Sequence, residues 1–174
     1  MFARIFPVPV LLSLVMNAVP AQALELGAPA PAFELPVLGA EESAASLTLE
    51  SLRGKVLYVD FWASWCAPCR FSMPLLDALR KELQSEGAAF EVVAVNVDER
   101  IEDARSFLQQ IPVSYLVVRD ASGATPSAYE LQGMPTGFLL DAHGQIRLIH
   151  PGFKRDDIEL IEAEARQLLR ENSR

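Results

Sequence analysis

Two stretches of almost continuous apolar residues stand in the first two thirds of the chain. Residues 55–62 (KVLYVDFW) and 90–97 (FEVVAVNV) are rich in β-branched and aromatic side chains, which is typical of strands covered on both faces. Between them, leucines recur at spacings of three and four from Leu75 to Leu83, and Gly87 follows. The order strand, helix, strand predicts a parallel crossover unit and therefore an α/β fold.

Weaker patterns follow the second strand. Asp98 is a residue type that caps helices, and the sequence after it predicts a helix that ends near Gln110. Residues 115–118 predict a third strand, and residues 124–131 predict a short helix. These elements extend the α/β pattern without an internal repeat.

The remaining predicted elements lie near the C-terminus, over residues 137–170, and before the first buried strand, over residues 24–46. Residues 137–140 and 145–149 predict two strands joined by a turn-rich tetrapeptide, which gives the sheet an antiparallel edge. Residues 156–170 predict a last helix with one apolar stripe. Before the first buried strand, residues 24–46 predict only a leader with one short edge strand.

The first 23 residues have the pattern of a secretory signal. Arg4 precedes an apolar stretch, and Ala21-Gln22-Ala23 matches a small-x-small cleavage site. The apolar part, residues 5–19, would form about 22 Å of helix, which is shorter than the bilayer core of about 30 Å. We therefore expect residues 1–23 to be removed and residues 24–174 to form one soluble domain in the periplasm.

Composition narrows the possible functions. A chain of 174 residues has room for one ordinary domain. It carries 15 basic and 23 acidic residues, a net charge of -8, which argues against a nucleic-acid-binding surface. Its two cysteines cannot form a disulfide framework or a four-sulfur zinc site, so any thiol chemistry depends on this one pair.

The two cysteines form a C-x-x-C motif between the first buried strand and the leucine-rich helix. This position predicts that Cys66 lies at a helix N-terminus, where the backbone amides lower a thiol pKa and favour a nucleophilic thiolate. Cys69 is close enough to resolve a mixed disulfide, and Pro68 suits a first helical turn. A structural disulfide, or a zinc site that adds His143 and His150, is the alternative interpretation.

The residues around this motif resemble a known family. The run 59–69 (VDFWASWCAPC), followed by Pro74 and by residues 133–136 (GMPT), resembles thioredoxin-fold proteins. Residues 95–98 (VNVD) and 138–141 (FLLD) make the chain most similar to exported TlpA-like thiol-disulfide oxidoreductases, over residues 27–170. The resemblance implies a thioredoxin-like fold: a central mixed β-sheet flanked by helices, with an N-terminal extension and a central insertion.

The resemblance also implies roles for residues outside the motif. It predicts a cis peptide between Met134 and Pro135 that faces the cysteines, and cis bonds are common only before proline. Met134 would then offer its backbone to an extended substrate peptide. Trp65 and Pro68, which flank Cys66, complete the expected substrate-binding surface.

Asp60 is an acid in an otherwise apolar strand. Burial of a carboxylate is unfavourable, and it raises the carboxyl pKa. In thioredoxins the matching acid exchanges a proton with the resolving cysteine, so the resemblance makes Asp60 the general base for Cys69. Two departures leave this role to Asp60 alone: Ser72 stands where many TlpA-like proteins have glutamate, and Ala94 stands where thioredoxins have lysine.

The predicted function is reduction of protein disulfides in the periplasm, without a metal or cofactor. The implied partners are client proteins with disulfides, apocytochromes c among them, and a membrane thiol reductase that donates electrons. The chain is expected to be a monomer. Two alternatives stay open: a disulfide oxidase or isomerase that uses the same two cysteines, and a redox-inert module that binds peptides beside Pro135.

Overall fold

The computed structural model describes residues 24–39 and 45–173, so the expected signal segment lies outside the described residues. Two short strands, β1 (Glu34–Pro36) and β2 (Ser46–Thr48), pair in antiparallel fashion as a small separate sheet. The central sheet has five strands: β3 (Val56–Trp62), β4 (Phe90–Asn96), β5 (Leu116–Arg119), β6 (Thr136–Leu140) and β7 (Ile146–Pro151).

The central sheet is mixed, with the strand order β5-β4-β3-β6-β7. Strands β3, β4 and β5 run parallel to one another, whereas β6 is antiparallel to both of its neighbours, β3 and β7. The helices are α1 (Cys69–Ser85), α2 (Ile101–Gln110), α3 (Ala124–Ala128) and α4 (Asp157–Asn172), and a 3₁₀ helix covers Leu49–Leu52. Every residue of β3 and β4 is buried, which confirms the prediction of strands covered on both faces.

Two apolar clusters cover the two faces of the sheet. On one face, Tyr58 and Trp62 of β3 pack with the apolar sides of α1, α2 and α4. On the other face, Val59 and Phe61 pack with the N-terminal segment, the 3₁₀ helix and Tyr129 beyond α3. Successive strand residues point to opposite faces, so Asp60 belongs to the same face as Tyr58 and Trp62.

Three sequence predictions are corrected. The leader strand pairs with β2, which the sequence did not predict because a strand of three half-exposed residues has no readable period. The helix predicted over residues 124–131 ends at Ala128. Asp98 does not cap α2, which Arg100 precedes; its carboxylate instead accepts hydrogen bonds from Asn96 and Ser64.

Helix α1 contains the second cysteine of the C-x-x-C motif and the leucine-rich stretch that follows it. It begins at Cys69, directly after Pro68, and Leu76 and Leu83 on its apolar side are fully buried. Gly87, at a φ of 82°, follows the helix end in the left-handed region that glycine adopts without strain. Within residues 24–39 and 45–173, no helix is long and apolar enough to cross a membrane.

Candidate active site

The C-x-x-C motif lies in the connection from β3 to α1. Cys66 and Cys69 form a disulfide with an S–S distance of 2.01 Å and a Cα–Cα distance of 5.4 Å. Cys66 precedes the first residue of α1, so it does not occupy the helix N-terminus itself, as the sequence predicted. A turn joins it to the helix, because the Cys69 N–H donates to the Cys66 carbonyl at 3.2 Å.

The two cysteines differ in their access to solvent. Cys69 is completely buried, whereas 4% of Cys66 is exposed. The residues that flank Cys66, namely Trp65, Ala67 and Pro68, are all exposed. A reaction partner from solvent therefore meets the sulfur of Cys66 before that of Cys69.

Asp98 fixes the loop that leads to Cys66. Its carboxylate accepts the Ser64 N–H at 3.0 Å and the Ser64 hydroxyl at 2.9 Å, and also the side-chain amide of Asn96 at 2.8 Å. Asp98 is buried, so these bonds are shielded from water. Sequence reasoning assigned this residue to a helix cap, although an acid directly after a buried parallel strand is also in position to bind the neighbouring loop.

Asp60 is enclosed in the sheet on the face that carries α1. Only 1% of the residue is exposed, and its Oδ2 has no hydrogen-bond partner among the described residues. Loss of hydration on burial raises its pKa from 3.8 to about 8. Its register partners are Ala94 of β4 and Gly137 of β6, and neither residue carries a charge that would stabilise the ionised form of Asp60.

Gly137 makes room for a neighbouring side chain. A Cβ at this position would overlap the hydroxyl and ring of Tyr58, so the Tyr58 hydroxyl occupies the space above Gly137 and lies next to the Asp60 row of the sheet. The sequence analysis attached no importance to Gly137. An isolated glycine inside a strand was the available signal, since it often marks a close approach.

The expected substrate-binding residues fall into two groups. The Met134–Pro135 peptide is cis, as the resemblance implied, and Pro135 directly precedes β6. Because Thr136 pairs with Phe61 near the end of β3, Pro135 lies at the same end of the sheet as the cysteine loop. Trp65, at 70% exposure, does not pack in the core, and its outward position leaves it available for contact with a partner.

The structure does not bring together the four residues of the zinc alternative. The two sulfurs are bonded to each other. His143 lies in the turn between β6 and β7, at the opposite end of the sheet from the cysteines, whereas His150 lies within β7. The four side chains therefore cannot share one metal ion in this arrangement.

A thioredoxin-like sheet with a dithiol at the start of its first long helix is the architecture of a thiol-disulfide oxidoreductase of the thioredoxin superfamily. The chain belongs to the Redoxin family, whose sequence pattern matches residues 25–169. This membership confirms the predicted resemblance to thioredoxin-fold proteins, and the mixed sheet with flanking helices confirms the predicted fold class.

Individual relatives agree with this assignment. The chain is 33% identical over 169 aligned positions to the thiol:disulfide interchange protein DsbE of Xylella fastidiosa, covering 86% of this chain and 81% of the relative. It is 32% identical over 138 positions to the thiol-disulfide oxidoreductase ResA of Geobacillus kaustophilus, covering 79% and 76%. A crystal structure of a DsbE-type protein from Chlorobium tepidum superposes with a TM-score of 0.77 at 39% identity, covering 84% and 99%.

Proposed function

We propose that the chain is an exported protein-disulfide reductase and that Cys66 is its nucleophile. The observation that carries this proposal is the asymmetry of the pair: the sulfurs are joined across the turn before α1, yet only Cys66 has any contact with solvent. The buried partner, Cys69, lies on the sheet face to which Asp60 also belongs. This arrangement suits a first attack by Cys66 and a second, internal attack by Cys69.

The proposed reaction begins with the reduced protein. The Cys66 thiolate attacks one sulfur of a client disulfide, the client S–S bond breaks, and the departing sulfur takes a proton from solvent. Asp60 accepts the proton of the Cys69 thiol, and the resulting thiolate attacks Cys66. The client leaves with its second sulfur as a thiolate, which takes a proton, so the client is reduced to two thiols and Cys66–Cys69 is oxidised to a disulfide.

The client is proposed to bind as an extended peptide at the end of the sheet that carries the cysteines. Met134 would pair its backbone with the peptide, and Pro135 would lie beside the reacting sulfurs. The exposed Trp65 and Pro68 border the same end of the sheet and supply apolar surface. These four roles rest on the resemblance and on the position of Pro135 before β6.

The setting of the reaction follows from the expected signal segment. Removal of residues 1–23 would leave residues 24–174 as a monomeric domain in the periplasm, an oxidising compartment. A reductase there needs an external dithiol, which a membrane thiol reductase would supply by exchange with the Cys66–Cys69 disulfide. Apocytochromes c, whose cysteines must be reduced before haem is attached, are the candidate clients by family.

The reduction potential of the Cys66–Cys69 couple tests the direction of the reaction. The Ala67-Pro68 pair is close to the Gly-Pro of reductive thioredoxins, so we expect a low potential in equilibrium with glutathione. A value near about -120 mV, which is typical of a strong oxidant, would support the oxidase alternative instead.

Trapping tests the roles of the two cysteines. Cys69→Ser should accumulate clients bound to Cys66, because the second attack is lost while the first remains. Cys66→Ser is the matched control and should trap none. Equal trapping by both variants, or by neither, would contradict the proposed order of attack, and full function in Cys66→Ser would favour the redox-inert binding module.

A further inference from the structure

A groove of about 500 Å³ lies beside the start of α1. Its apolar wall consists of Phe71 and Pro74 on the helix and Phe153 between β7 and α4. Phe71 is 65% exposed, an unusual state for a large aromatic side chain. The groove therefore offers apolar surface that the fold itself does not cover.

Three cations line the same groove: Arg70, Lys154 and Arg155. The Asp157 carboxylate accepts the backbone N–H of Lys154 at 2.6 Å, but no charged side-chain nitrogen of the three lies within 4 Å of a carboxylate oxygen among the described residues. Arg70 bonds to the neutral Gln110 at 3.2 Å and stacks 5.3 Å from the Phe107 ring, so its charge stays uncompensated. In a chain with a net charge of -8, this is a local reversal of sign.

The groove is linked to the dithiol site through the segments that form its walls. Phe71 follows Cys69 by two positions, and the N–H of Gly152, which precedes Phe153, donates to the Pro135 carbonyl at 2.8 Å. Both walls thus adjoin segments that flank the cysteines. A client chain that reacts with Cys66 would extend from the dithiol toward the groove along these segments.

We propose that the groove binds a segment of the client polypeptide in which a large apolar residue is flanked by aspartate or glutamate. The apolar side chain would lie between Phe71 and Phe153, and the carboxylates would face Arg70, Lys154 and Arg155. This proposal rests on the proposed function and specifies the clients that the dithiol prefers.

Two model peptides test the preference. Each has one disulfide and a leucine beyond it, and they differ only in whether glutamates or lysines flank the leucine. We expect the reduced protein to act on the glutamate peptide with a kcat/KM about tenfold higher at low salt. The double variant Lys154→Glu/Arg155→Glu should abolish this difference.

Lys55→Glu/Arg170→Glu is the matched control, since it makes the same charge change on exposed residues away from the groove. It should keep the preference. Equal kcat/KM values for the two peptides, or an equal loss in both double variants, would overturn the proposal. All variants should reduce hydroxyethyl disulfide, a small neutral substrate, at the same rate; failure of the unaltered protein on that substrate would instead overturn the proposed function.

A second, independent observation concerns a row of polar groups across three strands. Asp60, Gly137 and His150 are register partners in β3, β6 and β7, and directly opposite residues point to the same face. The Tyr58 hydroxyl occupies the space above Gly137, and in this oxidised structure it forms no hydrogen bond with Asp60 Oδ2 or His150 Nδ1. A hydroxyl that can both donate and accept therefore lies on the same sheet face as two buried polar atoms that lack partners.

The outer end of the row reaches the protein surface. His150 Nε2 lies 3.4 Å from Asp157 Oδ2, and the Asp157 side chain is 28% exposed. His150 Nδ1 is buried and has no partner among the described residues. Burial raises the pKa of Tyr58, and the nearby carboxylates of Asp60 and Asp157 raise it further. The hydroxyl therefore keeps its proton at neutral pH.

We infer that Tyr58 and His150 pass the proton of Asp60 to solvent during resolution by Cys69. Rotation of the Tyr58, Asp60 and His150 side chains would first form the two hydrogen bonds that the oxidised structure lacks. Tyr58 would then accept the proton from Asp60 while donating its own to His150 Nδ1, and His150 would release a proton at Nε2 toward Asp157 and water. The two residues act through Asp60 and touch no substrate. This inference rests on the base role of Asp60 in the proposed function.

Tyr58→Phe removes the hydroxyl and keeps the ring. We expect the rate of resolution of a Cys66 mixed disulfide to fall about tenfold or more, with an increased solvent deuterium isotope effect. Tyr115→Phe is the matched control: Tyr115 is also buried within the field of Asp60, but its hydroxyl donates to the Met73 carbonyl at 3.4 Å.

The control should keep the rate and the isotope effect of the unaltered protein. His150→Gln should reproduce the effect of Tyr58→Phe, because a glutamine cannot take up and release a proton at neutral pH. Resolution at the normal rate and isotope effect in Tyr58→Phe would overturn the inference. If Asp60→Asn also resolved at the normal rate, the base role of Asp60 would be lost as well.

Discussion

The burial of Asp60 predicts an unusual pH dependence of stability. Asparagine has the same shape as aspartate and does not ionise, so Asp60→Asn removes the ionisation while keeping the packing. In the unfolded chain the carboxyl ionises with a pKa near 3.8, whereas burial raises the pKa to about 8 in the folded protein. Folding therefore opposes ionisation, and the protein loses stability as the pH rises from below 4 to above 8.

The size of the loss follows from the two pKa values. The ionisation of Asp60 costs about 2 kcal/mol at pH 5, about 4 kcal/mol at pH 7 and about 6 kcal/mol at pH 9. The asparagine variant is free of this cost. Its advantage in the free energy of unfolding should therefore increase by about 4 kcal/mol from pH 5 to pH 9.

Urea unfolding of the oxidised proteins at pH 5, 7 and 9 measures this difference. Asp77→Asn is the control, because the pKa of Asp77 is lowered in the folded protein whereas that of Asp60 is raised. Burial disfavours the charge of Asp77, but hydrogen bonds from Lys81 and Ser114 outweigh it and lower the pKa. That variant should lose stability by a constant amount over the same range. A constant difference between Asp60→Asn and the unaltered protein would refute the reasoning.

Two further substitutions test the contacts around the site. Asp98→Ala removes the acceptor of the Ser64 N–H and hydroxyl; we expect it to cost about 2 kcal/mol in urea unfolding and to slow reduction of hydroxyethyl disulfide, and unchanged values of both would contradict the loop-fixing role. Gly137→Ala places a Cβ where the Tyr58 side chain lies; we expect a cost of about 1–3 kcal/mol, and an unfolding midpoint equal to that of the unaltered protein would show that the two residues do not meet.

The central elements could be predicted from sequence because each has a strong local pattern. Strands β3 and β4 are buried on both faces, so their apolar runs are continuous. Strand β2 has only three residues and no buried position, and therefore no pattern. The predicted position of Cys66 at the N-terminus of α1 is three residues too early, because Cys69 is the first helical residue and a turn joins the two cysteines.

The candidate site divides in the same way. Cys66, Cys69 and Asp60 are recognisable within a run of ten residues, because the motif and the isolated acid are local signals. The contact of Tyr58 with Gly137 and the alignment of Asp60 with His150 depend on strand pairing across β6, and the spacing along the chain does not give that register. Asp98 was misassigned because the same residue type caps helices and binds loops.

The raised pKa of Asp60 connects the proton route with the groove. If Asp60 is the base, as the proposed function holds, a pKa of about 8 leaves only about one-tenth of it ionised at pH 7, so few molecules hold a base ready when a mixed disulfide forms. During that delay the departed client thiol can attack Cys66 again and reverse the reaction. A client that is also held in the groove stays longer and is resolved more often. On the proposed function, selection of clients therefore arises from competition between reversal and resolution, and not from the first attack alone.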